Sequence, residues 1–178
     1  MKTPANFAAL LIVSVLITSG CAIRGEHEAS SNDLTGAWRS RVQFESGAFA
    51  AVKDLGFLYA FNDGGTMTES SNYDGSPPVP PAYGIWRRVG PREFQAKYLF
   101  YVTKPPGKFE DITAGGGWAP AGHGELIEHI TLAPDGRSFS STIEFKSVDA
   151  TGKPTPDGGT ARGHGIRIEF ASDEQSRK

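Results

Sequence analysis

The sequence predicts an all-β protein, an eight-stranded antiparallel up-and-down barrel. Three observations point there. Eight short strand-like runs follow one another, and six of them place apolar residues at alternate positions, the period of a half-buried strand. Clusters of glycine, asparagine, aspartate and proline separate the runs. No long segment has helical periodicity, and only Ala48 to Leu55 has room for a turn or two of helix. A meander of eight strands leaves two raw edges unless it closes on itself.

The chain has 178 residues and a net charge of −2, which suits one domain and supplies no field for nucleic acid. Its 38% hydrophobic content and 22 glycines fit a turn-rich globule and exclude a disordered chain. Residues 1–20 read as an export signal: Lys2 precedes an apolar stretch from Phe7 to Ile17 that is too short to span a bilayer. Ile17-Thr18-Ser19-Gly20-Cys21 resembles the lipobox of bacterial lipoproteins. That resemblance implies that Cys21 is lipidated and becomes the new N-terminus, anchoring the protein to the cell envelope. Ala22 in place of aspartate resembles the outer-membrane sorting pattern of Gram-negative cells, with the domain facing the periplasm. The alternative is an ordinary cleaved signal that leaves a free thiol. Cys21 is the sole cysteine, so the folded part has no disulfide and no thiolate for catalysis or metal binding. Residues 21–33 then form the lipidated cysteine and a tether, 34–171 the barrel and 172–178 a polar tail.

The first strand runs from Gly36 to Phe44, with Trp38, Val42 and Phe44 on one face. The second is Leu55 to Phe61, where Phe57, Tyr59 and Phe61 alternate; Asn62-Asp63-Gly64-Gly65 then turns the chain. The third is Thr66 to Tyr73, and the fourth is Tyr83 to Val89, ended by Gly90-Pro91. The fifth, Phe94 to Thr103, aligns Phe94, Ala96, Tyr98, Phe100 and Val102. The sixth, His123 to Leu132, aligns Leu126, Ile130 and Leu132 and ends at Pro134-Asp135-Gly136. The seventh is Ser138 to Lys146, with Phe139, Ile143 and Phe145 in phase. The eighth is Ala161 to Phe170, with Ile166, Ile168 and Phe170 in phase.

Connection lengths alternate. The turns after the second, fourth and sixth strands are short, whereas those after the first, third, fifth and seventh are long. In a meander, alternate connections share one end. The spacing therefore predicts a cup with a stitched floor and a loop-rimmed mouth, the usual place for a ligand. Ser76-Pro77-Pro78-Val79-Pro80-Pro81, Pro105-Pro106-Gly107 and Pro154-Thr155-Pro156 favour stiff, extended rim segments. They are equally compatible with plain exposed loops.

Gly36-Ala37-Trp38 at the head of eight strands resembles the lipocalin and wider calycin-type barrels. The resemblance implies that Trp38 plugs the closed end and that a late arginine, matched here by Arg167, packs over it. The usual disulfide and the helix after the eighth strand have no counterpart, and Gly84-Ile85-Trp86 repeats the motif. The runs 62–70 and 84–90 also resemble a group of uncharacterised secreted bacterial proteins with a lipocalin-like barrel, which implies no reaction.

Glu128 sits in an otherwise apolar series with Leu126, Ile130 and Leu132, so an inward face would bury its carboxylate and raise its pKa. Glu69, between Met67 and Ser71, is a weaker case of the same pattern. Arg87 and Arg88 have opposite parity, so one points inward as a candidate cation partner. His123 and His164 lie in Gly-His-Gly triplets at the starts of the sixth and eighth strands, about 10 Å apart at the mouth. That spacing suits flanking a ligand, but loop-ending glycines and half-exposed strand positions are the simpler explanation of both histidines. Tyr83 opens the fourth strand at the same end, and Trp118 lies in the long loop before the sixth as a lid, a stacking residue or part of the wall. His27 falls in the tether. His123 and His129 are about 20 Å apart along the strand and are not co-ligands. No metal motif, phosphate loop or nucleophile elbow is present, and no cofactor is expected. Three functions remain open: an anchored binder of a small, largely apolar ligand; a cyclase or isomerase using a buried carboxylate; and a structural or protein-interaction lipoprotein using its proline-rich rim.

Overall fold

The computed structural model describes residues 32–73, 81–108, 110 and 119–170. Eight strands form one closed antiparallel barrel in up-and-down order. They are β1 (Gly36–Phe44), β2 (Gly56–Phe61), β3 (Thr66–Ser71), β4 (Ala82–Arg88), β5 (Glu93–Lys104), β6 (Ala119–Leu132), β7 (Ser138–Asp149) and β8 (Gly159–Arg167). Each pairs with its sequence neighbour, and β8 returns to β1 with Trp38 opposite Arg167. The closed ladder leaves no edge strand.

The short connections β2–β3, β4–β5 and β6–β7 share the floor, and the long ones share the mouth. Residues 45–55 fold as successive turns, closed by Ala50 N–H donating to Gly47 and Val52 N–H donating to Phe49, so the helical turn allowed by the sequence does not form. Strand β6 starts four residues earlier than the alternation suggests, because Thr103 pairs with Pro120 and Lys104 with Ala119 beyond a bulge at Val102/Thr103.

The face of β8 is the main departure. Its inward residues are Ala161, Gly163 and Gly165, while Ile166, Ile168 and Phe170 are exposed. The inside has no room for larger side chains. A Cβ on Gly165 would overlap the Phe139 ring, and one on Gly163 would overlap the Ser141 hydroxyl. The Phe139 ring and the Ser141 hydroxyl of β7 therefore require glycine on the strand beside them.

The floor is built on Trp38. Its indole is fully buried, packs 5.2 Å from Phe139 and donates from Nε1 to the Leu34 carbonyl at 2.9 Å. Arg167 covers it with its guanidinium 4.2 Å from the ring centroid. Arg167 also donates to the carbonyls of Asp33 (2.5 Å), Thr35 (2.6 Å) and Gly136 (2.9 Å). This is the tryptophan–arginine plug that the resemblance implies. Trp38→Ala is expected to cost about 3–5 kcal/mol and lower the melting temperature by about 10 °C in a thermal scan.

Candidate functional site

Three layers fill the barrel. The lowest is aromatic: Trp38, Phe61, Trp86, Phe94 and Phe139 form a chain of ring contacts between 5.2 and 6.2 Å, bridged by Tyr59. The middle layer is polar. Glu128 is 0% exposed, and Tyr98 Oη donates to its Oε2 at 2.9 Å. The Tyr59 hydroxyl lies 3.5 Å from that of Tyr98. Ser40 and Ser141 are buried beside Gly163, and the Ser141 hydroxyl and Glu128 Oε1 lie within 4 Å of the space a Cβ there would take. Neither of those two oxygens has a partner of hydrogen-bond geometry among the described residues.

Burial pushes the Glu128 carboxyl above its ordinary value, and the hydroxyls of Ser141, Tyr98 and Tyr59 offset part of that rise. Burial also raises Tyr59 and Tyr98 well above the phenol range, with the Glu128 charge adding to it, so both stay neutral donors. The sequence-based expectation that Arg87 or Arg88 would reach Glu128 does not hold. Arg87 points outward to Gln95, at 2.6 Å. Arg88 packs at the floor, 4.6 Å over Phe94, and donates to the carbonyls of Asn32 and Pro91. Its position at the end of β4 puts it beyond the level of Glu128.

The top layer leaves space. A cavity of about 120 Å³ at the mouth is lined by Phe44, Phe49, Phe57, Phe100, Leu126 and Phe145, among others, with Glu69 and Ser71 as its polar wall. Phe49, from the β1–β2 connection, closes over it, with its ring 5.4 Å from Phe44 and 5.9 Å from Phe145. Glu69 sits opposite Tyr59 in the β2–β3 ladder and so joins the cavity to the polar layer below.

The other candidate positions are scattered. Glu128 faces inward but lies under the cavity, not on it. His123 is on the outer wall with Tyr83, Leu99 and Tyr101, around a surface groove of about 440 Å³. His164 is on the outer wall opposite Arg41. Gly124 after His123, and Gly163 and Gly165 on either side of His164, take the inward positions, so the imidazoles point away from the barrel interior. Trp118, His27 and Cys21 lie outside the described residues, as does most of the proline-rich segment before β4. Among the described residues, no cluster of three histidine, cysteine, aspartate or glutamate side chains could hold a metal ion. The sequence reading missed Phe49 as a lining residue because its connection has no strand period, whereas Leu55, placed at the head of the second strand, keeps that strand's inward phase just before β2 begins.

No family model matches this chain, and no curated protein matches it. The closed antiparallel barrel with its up-and-down order is compatible with a lipocalin-like fold.

A carboxyl raised by burial favours the fold in its protonated form. That contribution is fully present below the unfolded value of 4.5 and is lost as pH rises through the higher folded value. Glu128→Gln keeps an acceptor for Tyr98 and removes the ionisation. The melting temperature of Glu128→Gln minus that of the parent should therefore grow from acid to neutral pH; a constant difference would show that Glu128 is not perturbed.

Proposed function

We propose that this protein is a membrane-anchored, lipocalin-like binder of a small, largely apolar molecule, taken at the barrel mouth. The observation that carries this reading is the mouth cavity, aromatic on most sides and polar on one. Below it the barrel is filled, as an eight-stranded barrel can be by side chains alone. The ligand is therefore compact. A cavity of about 120 Å³ is on the scale of one that takes benzene. A longer ligand enters only if Phe49 and the 45–55 turns swing aside. Lipid attachment at Cys21 supplies the anchor and places the domain on the cell envelope.

The enzymatic alternative loses its motive at Glu128, which is sealed beneath the cavity, and retains only Glu69 at the cavity wall. The floor and the polar layer then serve stability.

Two measurements test the proposal. Titration with small aromatics such as toluene, phenol and indole, followed by NMR shifts of the mouth residues, should show saturable binding. Leu126→Phe, which fills the cavity, should weaken it at least tenfold with the fold retained. Equal binding by that variant, or no binding by the parent, would refute the mouth site. Separately, Cys21→Ser should release the protein from the membrane fraction of expressing cells, and an unchanged distribution would refute the lipid anchor.

A further inference from the structure

The outer wall over the β1–β8 seam carries side chains that neither the core nor the mouth cavity uses. The register sets Leu58, Arg39 and Ile166 side by side and Arg41 beside His164. Leu58 is 52% exposed, Ile166 49% and Ile168 54%, and Phe170 is fully exposed. One such residue in water is ordinary; a strip of them at successive outward positions is not. The side chains of Arg39, Arg41 and His164 have no hydrogen bond or ion pair among the described residues. The neighbouring acids are already engaged: Glu45 holds Arg162 at 2.7 Å, and Glu169 faces Arg137 at 3.7 Å.

We propose that this wall is a membrane-docking face, in which Ile166, Ile168 and Phe170 enter the headgroup boundary of a bilayer and Arg39 and Arg41 meet anionic lipid phosphates. Exposed apolar residues flanked by unpaired cations are the signature of an interfacial surface. A second copy of the chain fits less well, because a twofold contact over this wall would bury the Arg39 and Arg41 of both copies in one interface whose nearby acids, Glu45 and Glu169, are already engaged. The path of the chain agrees. Asp33 is held by Arg167 at the floor, where Ala37, Ile168 and Phe170 share a surface depression. Cys21 precedes Asn32 by eleven residues, a reach of about 40 Å when extended. A lipid on Cys21 and this wall can therefore engage one bilayer, and a lipid chain plus a basic patch anchors more firmly than the lipid alone. Only this last point rests on the reading of Cys21; the face itself does not.

The test uses the chain from Ala22 to Lys178, which keeps every described residue and lacks Cys21, so binding reports the wall and not the lipid. It should sediment with phosphatidylcholine vesicles containing about one third phosphatidylglycerol, and less so as salt rises. Arg39→Gln with Arg41→Gln should weaken that binding about twentyfold, and Ile168→Ser with Phe170→Ser at least tenfold, with unchanged melting temperatures. Failure of the parent to bind, or equal binding by both variants, overturns the proposal. So does a dimer in size-exclusion chromatography that the same substitutions dissolve, since the wall is then covered by a second copy. Release by inorganic phosphate at matched ionic strength would also overturn it, marking a small-anion site. Vesicle binding that persists when Cys21 proves unlipidated would refute the anchor and leave the docking face standing.

Discussion

Closure of the barrel depends on the Arg167 guanidinium. It lies over the Trp38 ring and donates to three backbone carbonyls drawn from the chain before β1 and from the β6–β7 turn. One side chain thus ties the start of the first strand, the end of the last and a floor turn into a single knot. Burial pulls the Arg167 pKa down, and the charges of Asp33 and Glu169 oppose that pull. With most of its donors on carbonyls, the cation tolerates partial burial far better than a lone charge would. The seam above it pairs seven positions of β1 with β8, so the ring closes with no strand left unpaired.

Closure then sets what the interior can hold. Phe139 and Ser141 lean from β7 into the space that side chains on Gly165 and Gly163 would occupy. The floor is packed with rings, and the middle layer holds Glu128, Tyr98 and Tyr59 without a cation among the described residues. A neutral carboxyl bonded to a phenol suits such a layer, whereas an ionised one there would be costly. Among the described residues, the barrel interior keeps free volume at the mouth, where the strands end and the 45–55 turns supply Phe49 in place of a strand neighbour. The seam also leaves its outer face uncovered, so the small residues that fill the inside of β8 go with large ones outside.

Much of this was legible in the residues. Strands β1, β2, β5, β6 and β7 show themselves because large apolar side chains alternate toward one core, and β1 runs over the residues the pattern indicates; β3 buries only Met67 and Glu69, and β4 turns Tyr83 and Ile85 outward, so these two strands are marked by the turns around them. The floor and mouth were legible from loop lengths, because a meander puts alternate connections at one end. The inward phase of Glu128 followed from Leu126 and Ile130 on either side. Its partners did not, since Tyr98 and Tyr59 come from other strands and only the register brings them together. The face of β8 was illegible for a physical reason. Hydrophobic alternation marks Ile166, Ile168 and Phe170, but the interior beside Phe139 accepts only glycine, so the apolar phase points outward. His123 and His164 follow from the same inversion: the small neighbours that suggested close approach of a ligand take the inward positions themselves.

Among the described residues, the barrel is filled from Trp38 up to the Tyr98–Glu128 layer and open beneath Phe49. Xenon under pressure in crystals of the protein tests this directly, because the atom occupies apolar voids without needing a matched ligand. The predicted result is one site bounded by Phe49, Phe57, Phe100 and Leu126, with no density around Tyr59, Tyr98 and Glu128. Xenon in the middle layer, or none at the mouth, would contradict it.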